Sequence, residues 1–305
     1  MTQGTARISP RKGVLSDYLM WVMRDSRVVR QAEVEAKGTT FREITLADLR
    51  RICIPIPQVT EQRAIATALS DANALLAGLD CLIAKKRDLK QAAMQQLLTG
   101  KTRLPGFQGE WGTTTLRQAV ATPITDGPHL TPRFLPTGIP FLSVNNLVNN
   151  RLNFSTLRYI SLEDHTEFSK KCKPRRGDIL FGKAASVGMV ALVETDLEMN
   201  IWSPLALIRV AGKMHERFVF YALQTRYIER QIKLMTNASS QGNIGMSDIG
   251  LLEIPVPSVA EQEAIAAVLS DMDSELTALE ARRDKTRALK QGMMQELLTG
   301  RTRLV

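Results

Sequence analysis

A short stretch of this sequence concentrates positive charge: residues 170–177 read KKCKPRRG. Lysine and arginine side chains neutralise phosphate groups, and a proline inside such a stretch favours a loop over a helix. The stretch therefore predicts sequence-independent phosphate contacts with a nucleic acid. The side chains predicted to make these contacts are Lys170, Lys171, Lys173, Arg175 and Arg176.

Four further polar side chains have the chemistry to read base edges, although each also suits an ordinary surface turn. Amide, hydroxyl and ammonium groups pair with the donors and acceptors of bases, and the same groups stabilise turns. Lys183 and Ser186 lie between Gly182 and Gly188, which predicts the tip of a β-hairpin. This glycine spacing lacks the Gly-Lys-Ser/Thr order of a nucleotide-binding loop. The candidates for base reading are Asn145, Lys183, Ser186 and Gln241.

The sequence offers little for catalysis. His129, His165 and His215 lack cysteine or carboxylate partners at metal-ligand spacing, so we predict no metal site. The Asn/Asp-Pro-Pro-aromatic motif of DNA methyltransferases is absent from the sequence. Asp25, with Glu-Ala-Lys at 35–37, has the residue types of a nuclease site, but the run has a helix-like pattern and is a minor alternative. We therefore predict no catalytic residues, no metal and no cofactor on this chain.

Composition sets broad limits on the partner and the compartment. The chain has 305 residues, enough for two units with buried cores, and a formal net charge of +9. The charge favours a polyanionic partner, although solubility alone also explains it. No run approaches the roughly 18 apolar residues of a membrane span, so we expect a cytoplasmic protein with no membrane partner. The scattered cysteines, Cys53, Cys81 and Cys172, fit reduced thiols.

The elements that must position these candidates include two copies of one long segment, offset by 200 residues. Residues 54–104 match residues 254–304 without a gap, with 28 of the 51 pairs identical. Each copy opens with Pro-x-Pro, which cannot lie inside a helix, and continues with apolar residues spaced by three and four. This narrow seam predicts two helices of about 40 residues that pair as an antiparallel coiled coil, with an ordinary helical hairpin as the alternative. The seam includes Leu76 and Leu276, and resumes at Leu89 and Leu289 after a slip.

The block between the repeats has a different pattern. Short β-rich runs alternate with turn signals, and a helical pattern follows from about residue 215 to residue 235. A stiff turn at 126–132, DGPHLTP, carries further hydrogen-bonding groups. The fold class is therefore α+β, with a small-sheet domain flanked by two long repeat helices. The predicted strands occupy residues 139–144, 178–181, 188–193 and 205–210.

Several motifs, in the same order along the chain, resemble the specificity subunits of type I restriction-modification systems. They are 126–142 (DGPHLTPRFLPTGIPFL), 176–193 (RGDILFGKAASVGMVALV), 243–262 (NIGMSDIGLLEIPVPSVAEQ) and Leu-Leu-Thr-Gly at 297–300. The resemblance implies a target-recognition domain that binds one half of a bipartite double-stranded DNA target. It also implies that the repeat helices are spacers that dock methyltransferase subunits.

The resemblance further implies a division of labour among subunits. This chain would be a non-catalytic recognition subunit. Methylation would belong to the methyltransferase (modification) subunits, and cleavage to a restriction/translocase subunit. The methyl donor and ATP would accordingly be bound by those partners.

One departure from the family pattern concerns the first recognition domain. Residues 17–57 align with residues 217–257, but the counterparts of residues 112–200 would precede residue 1. The predicted domains are a remnant of a first target-recognition domain (1–53), a first spacer region (54–111), a complete target-recognition domain (112–253) and a second spacer region (254–305). The remnant is expected to be partly unsupported, and either to obstruct the pairing of two copies or to leave an exposed apolar face around Trp21 and Met23.

Two readings of this half-length organisation stay open. Two copies of the chain could form a homodimer with two recognition domains and a palindromic split target. Alternatively, the chain could be an inactive or partner-dependent remnant that acts as a helical scaffold without reading DNA.

Overall fold

The computed structural model of the protein describes residues 5–38, 42–236 and 242–304. The chain divides into two compact units. Unit 1 consists of residues 1–87 with 274–305, and unit 2 consists of residues 88–273. Both boundaries fall inside long helices, so each unit contains part of both repeats.

The helices, in chain order, are α1 (Ser16–Val22), α2 (Ser26–Glu35), α3 (Leu46–Leu49), α4 (Val59–Leu97), α5 (Leu116–Ala119), α6 (Leu162–Ser169), α7 (Glu216–Ala222), α8 (Arg226–Met235), α9 (Met246–Leu251) and α10 (Val259–Leu297). The strands are β1 (Gly112–Thr115), β2 (Thr125–Asp126), β3 (Ile139–Leu142), β4 (Leu147–Val148), β5 (Arg151–Leu152), β6 (Arg158–Ile160), β7 (Ile179–Gly182), β8 (Val190–Leu192), β9 (Asn200–Ile201), β10 (Leu205–Ile208) and β11 (Glu253–Val256). This mixed composition confirms the predicted α+β class.

The two long helices, α4 and α10, have 39 residues each and pair antiparallel. In unit 1, Asn73 contacts Lys290, Asp80 contacts Arg283, and Lys86 contacts Glu275, so partner numbers fall along α10 as they rise along α4. Leu76 and Leu276 are buried, as the seam predicts. Lys86 and Arg283, near the middle of the helices, therefore make ion pairs between the two helices.

The prediction that the apolar seam resumes after its slip is wrong at its first position. Leu89 is 48% exposed and Leu289 is 62% exposed, although Leu97 and Leu297 further along each helix are buried. The apolar seam is therefore interrupted for longer than the spacing suggests. Cross-helix contacts between charged side chains occupy this middle region, as Arg87 with Glu280 illustrates in unit 1.

Helix α4 is apolar enough to raise the question of a membrane. One 18-residue window in it has a mean hydropathy of 1.3, and 22% of that window is buried, so by length and composition alone the helix could span a bilayer. The same helix carries Asp80, Lys86 and Arg87, which contact charged partners on α10. We interpret α4 as one member of a helix pair, and the absence of a membrane partner stays a prediction.

The core of unit 1 packs α1 and α2 against the start of α4 and the end of α10. Tyr18, Trp21 and Val28 are buried there with Ile65, Leu69 and other apolar residues. Trp21 is 2% exposed and its indole N–H donates to Ser70 Oγ at 3.0 Å. The expected exposed face around Trp21 is therefore wrong, because the long helices themselves bury this side chain.

Unit 2 contains a four-stranded sheet between two apolar cores. Its strand order is β2-β10-β7-β8, and each neighbouring pair is antiparallel. Successive side chains of a strand point to opposite faces, so Ile179 and Phe181 of β7 enter one core while Leu180 enters the other. Beyond this sheet, β3 pairs with β6 and β9, β4 pairs with β5, and β1 pairs with β11. The four strands predicted from sequence match β3, β7, β8 and β10.

The helical pattern predicted for residues 215–235 forms two helices. Helix α7 ends at Ala222, and Thr225 begins α8 because its hydroxyl accepts the backbone N–H of Ile228. The first of the two cores gathers α7, α8, α9, β11 and the start of α10 against one face of the four-stranded sheet. This packing fixes the four-stranded sheet against these helices, and it therefore also fixes the loops at the ends of the strands.

The cores of the two units use equivalent positions of the repeat. Gln62 and Gln262 are both fully buried, and each makes the same three contacts. Gln62 binds Leu15 N, Gly13 O and Pro57 O, and Gln262 binds the corresponding groups of residues 215, 213 and 257. Equivalent buried pairs are Tyr18/Phe218, Trp21/Tyr221, Val28/Ile228, Ile65/Ile265 and Leu69/Leu269.

Adjacent leucines on α4 test the burial of the seam. Leu76 is 9% exposed and Leu75 is 43% exposed. We expect Leu76→Asp to lower the melting temperature strongly, because burying an unpaired carboxylate costs several kcal/mol or more. Leu75→Asp, one residue away, should leave melting nearly unchanged. Equal melting of the two variants in thermal denaturation would contradict the assigned seam.

Candidate nucleic-acid interface

A buried ion pair shapes the basic loop at residues 170–177. Asp178, which is 2% exposed, accepts hydrogen bonds from Arg209 Nε at 2.8 Å and Nη2 at 2.7 Å. The carboxylate also accepts the backbone N–H of Arg175 at 2.7 Å, and Arg209 Nη2 donates to the carbonyl of Lys173 at 3.0 Å. Because these contacts fix the loop backbone at Lys173 and at Arg175, the cations of the loop extend from a defined support.

Three of the five predicted phosphate-binding cations form exposed ion pairs with nearby carboxylates. Lys170 lies 2.5 Å from Glu167, Lys173 lies 2.6 Å from Glu198, and Arg176 lies 2.7 Å from Asp196. Both members of these three pairs are at least 36% exposed. Arg175 is also exposed. The positive charge of the loop is therefore largely compensated by carboxylates in solvent-exposed ion pairs.

The remaining cation, Lys171, shares a buried carboxylate with Lys183. Lys171 Nζ lies 2.5 Å from Asp126 Oδ1, and Lys183 Nζ lies 2.5 Å from Asp126 Oδ2. His129 Nε2 lies 3.2 Å from the same carboxylate. Burial alone would raise the pKa of Asp126, but the hydrogen bonds from the two lysines hold this pKa below its ordinary value. Asp126 thus joins a predicted phosphate contact to a predicted base contact.

Lys183 and Ser186 lie on the hairpin tip between β7 and β8, as the glycine spacing predicts. The Lys183 backbone is held on both sides, since its N–H donates to Pro204 and its carbonyl accepts from Ile244. Ala185 at the tip has φ 62°, a left-handed conformation that non-glycine residues adopt in tight turns. The tip also pairs with Asn243 through Ala184. Gln241, two residues earlier, lies outside the described residues.

Asn145 lies on a short 3-10 turn, Val144–Asn146, and is exposed. The structural role in this turn belongs to its neighbour Asn146, which is buried and bonds to Ser143, Asn153 and Thr156. Asn145 therefore remains available for an external contact. Among the described residues, no hydrogen bond or ion pair joins Asn145 to Asp126 or to Lys183, so these two base-reading candidates do not share a support.

Sequence reasoning missed the central position of Asp126. In the sequence, the turn at 126–132 stands out for its prolines and hydrogen-bond donors. The residue of this turn that binds both lysines is its first residue, Asp126. Gly127 is required beside it, because a Cβ at this position would lie 1.7 Å from the carbonyl oxygen of Ile201. The Asp-Gly order is the available signal: an acid next to a glycine that must approach another strand.

Asp25, the residue of the nuclease alternative, and His165, one of the three histidines, both make contacts within the fold. Asp25 caps α2 by accepting the N–H of Arg27, and also pairs with the Arg27 guanidinium. His165 is buried, with Nδ1 2.6 Å from Asn200 Oδ1. Within residues 5–38, 42–236 and 242–304, no group of three or more histidine, cysteine and acidic side chains could hold a metal ion.

The family model for the type I restriction modification DNA specificity domain matches residues 134–287, which is 154 of the 305 residues. The chain therefore belongs to the family of type I restriction-modification DNA specificity proteins. It is by membership a specificity subunit, the class of subunit that recognises the DNA target. The match begins after the Asp126 turn and includes the basic loop and the hairpin tip.

Individual relatives cover most of this chain at low identity. The type I restriction enzyme MjaVIII specificity subunit of Methanocaldococcus jannaschii is 22% identical over 324 aligned residues, covering 96% of this chain and 75% of that protein. The EcoBI specificity subunit of Escherichia coli is 21% identical, covering 86% and 60%. A crystal structure of a type I restriction-modification S subunit from M. genitalium superposes with a TM-score of 0.64 at 17% identity, covering 93% and 73%. This likeness establishes the fold.

Replacement of Asp126 tests the support of the two lysines. The folded-state pKa of Asp126 is lowered, so its ion pairs stabilise the fold above about pH 4 and are lost as the pH falls through that pKa. We expect Asp126→Asn to destabilise the protein by about 1–3 kcal/mol near pH 7, since it removes charge-assisted bonds. The difference from the native chain should narrow below about pH 4.

The measurement is thermal denaturation from pH 3 to pH 8. Asp196→Asn, which removes the exposed carboxylate beside Arg176, is the control and should have no measurable effect at any pH. A difference for Asp126→Asn that stays constant across this range would contradict the linkage.

Proposed function

We propose that this chain reads one half of a bipartite double-stranded DNA target through unit 2. The observation that carries the proposal is the shared carboxylate of Asp126, which holds a predicted phosphate contact and a predicted base contact on one support. Membership of the DNA specificity family supports the same unit, because the matched residues include the basic loop and the hairpin tip. Phosphate contacts would set the register on the duplex, and the hairpin tip would carry the sequence reading.

The exposed ion pairs of the basic loop suit an exchange of partners. A solvent-exposed pair contributes little to stability, so its cation can leave a carboxylate for a phosphate at little cost. Binding then gains from the release of counterions that were condensed on the DNA. Lys170, Lys173 and Arg176 are the cations in this position. Lys171 has a buried partner and would keep its place while it meets the backbone.

Lys183 is the strongest of the base-reading candidates. Its side chain is 13% exposed and is oriented by Asp126, so little freedom is lost when it meets a base. Guanine presents N7 and O6 acceptors in the major groove, which suit an ammonium donor. Ser186 shares the hairpin tip, whereas Asn145 and Gln241 would act from other loops. No single base preference follows from these residue types.

The two long helices would set the distance from unit 2 to partner subunits. We propose that they dock the methyltransferase subunits, and that a restriction/translocase subunit joins the same complex. Methyl transfer and ATP hydrolysis would take place on those partners, in keeping with the recognition role of the family.

Charge removal in the basic loop tests the proposal. We expect the triple variant Lys170→Ala, Lys173→Ala and Arg176→Ala to weaken binding to all duplex sequences. The salt slope of log Kd should fall by about one unit per lost phosphate contact. The measurement is fluorescence anisotropy of a labelled random-sequence duplex over a series of salt concentrations.

A matched control removes three exposed cations from helix α8 of the same unit: Arg226→Ala, Arg230→Ala and Lys233→Ala. This control changes the net charge equally and should leave the salt slope near the native value. Equal slopes for the two triple variants would reject the loop as the phosphate contact. An absence of duplex binding by the native chain with its methyltransferase partner would favour the scaffold reading instead.

A further inference from the structure

The side chain of His129 is the most exposed of the four that meet at the Asp126 carboxylate. It is 73% exposed, whereas Lys171 is 53% exposed and Lys183 is 13% exposed. The ring is nevertheless oriented, because its Nε2 lies 3.2 Å from Asp126 Oδ2. His129 therefore combines access from solvent with a defined position, and the contacts proposed above do not use it.

The turn that carries His129 is fixed on both sides of the ring. Asp126 belongs to β2, which pairs with β10 of the four-stranded sheet. Gly127 packs so closely against the carbonyl oxygen of a β9 residue that no side chain would fit there. Pro128 and Pro132 restrict the backbone before and after the ring, because proline fixes φ. Little conformational freedom is therefore lost when His129 meets a ligand.

The contact with Asp126 also selects the tautomer of the His129 ring. In a neutral imidazole, one nitrogen carries the proton and donates, and the other nitrogen accepts. A proton on Nε2 is attracted by the carboxylate, whereas a lone pair on Nε2 would be repelled by it. Nδ1 is then the acceptor, and it has no hydrogen-bond partner within the part of the chain that the structure describes. The turn thus offers one unused acceptor.

Lys183 provides a donor beside this acceptor. Its Nζ lies 2.5 Å from Asp126 Oδ2, the same oxygen that His129 Nε2 contacts. Two groups that contact one oxygen lie close together, and successive base pairs of a duplex are separated by about 3.4 Å. The His129 ring and the Lys183 ammonium can therefore reach the same base pair or adjacent base pairs.

We propose that His129 is a specificity-determining residue whose Nδ1 accepts a hydrogen bond from the exocyclic amine of adenine or cytosine. Adenine N6 and cytosine N4 are the amine donors that the major groove presents. The base pair that His129 reads is the one read by Lys183 or its direct neighbour. This inference rests on the proposed function, because unit 2 must bind DNA for His129 to meet a base.

A base amine suits His129 better than a phosphate does. A phosphate oxygen accepts hydrogen bonds and therefore needs a donor. The proton on Nε2 of His129 is directed at Asp126, and Nδ1 has only a lone pair to offer. An exocyclic amine supplies the N–H that this lone pair requires. The Asp126 carboxylate thus supports a donor, Lys183, and an acceptor, His129, side by side.

Methylome sequencing of cells that express the chain with its methyltransferase partner tests the proposal. The variants His129→Ala and Lys183→Ala are compared with the native chain. We expect each substitution to relax one base pair of the methylated motif, and the two relaxed positions to coincide or to be adjacent. Lys183→Ala tests the proposed function, and His129→Ala tests the inference that rests on it.

Three outcomes would overturn the inference. The motif could stay unchanged in His129→Ala while Lys183→Ala relaxes it, which would leave the proposed function standing. Both variants could leave the motif unchanged, in which case the proposed function falls as well. The position relaxed by His129→Ala could also lie several base pairs from the position relaxed by Lys183→Ala.

Two further variants separate the acceptor from the shape of the turn. His129→Asn places an amide oxygen close to the position of Nδ1 and should keep the base pair specified. Leu130→Ala changes an equally exposed neighbour without a polar group and should keep the base pair specified as well. Relaxation of this base pair by Leu130→Ala would make the turn conformation responsible and would also overturn the inference.

Removal of the amine from the DNA tests the contact itself. At the base that His129→Ala relaxes, adenine is replaced by purine, or cytosine by 2-pyrimidinone, each of which lacks the amine. In fluorescence anisotropy of the purified complex, we expect this change to weaken binding by the native chain about two- to tenfold, as one neutral hydrogen bond does. Binding by His129→Ala should not respond to the same change. Equal losses for the two proteins would contradict the proposal, because another group would then recognise the amine.

Discussion

A contact between the buried Glu261 carboxylate and Arg103 joins the start of α10 to the segment after α4 within unit 2. Glu261 is 1% exposed at the start of α10, and Arg103, just beyond the end of α4, contacts both of its carboxylate oxygens at 2.5 Å. Trp111 donates its indole N–H to the same carboxylate and lies against the Arg103 guanidinium. Removal of the Arg103 cation would leave the buried Glu261 carboxylate without its charged partner, which destabilises the fold. In unit 1 the same contact recurs between Glu61 and Arg303, which explains why both copies of the repeat keep these residues.

This contact positions the two-stranded sheet of β1 and β11. Strand β1 starts directly after Trp111, so the position of Trp111 sets the register of β1 on β11. The pairing places α5 in the first core, on which the four-stranded sheet packs. The basic loop and the hairpin tip leave this sheet at the ends of β7. Successive packing contacts thus connect the helix ends of unit 2 to the side chains that we propose contact DNA.

Much of this organisation follows from the sequence, because periodicity and repetition are local signals. The 200-residue offset predicts both long helices, and alternating apolar runs predict β3, β7, β8 and β10. The two lysine partners of Asp126 could not be predicted, because they lie 45 and 57 residues away along the chain. The exposure of Leu89 also escaped prediction, since ion pairs between helices replace apolar packing there. The partners of the basic loop depend likewise on folding, which brings Glu198 and Asp196 beside Lys173 and Arg176.

We have proposed that unit 2 of each chain reads one half of a split target. This proposal can be tested by methylome sequencing of cells that express this chain with its methyltransferase partner. We expect a methylated motif with two specified halves separated by an unspecified gap. Lys183→Ala with Ser186→Ala should relax the bases of one half, or of both halves if two copies form a palindromic reader. Methylation without a motif, or a motif left unchanged by these substitutions, would contradict the account.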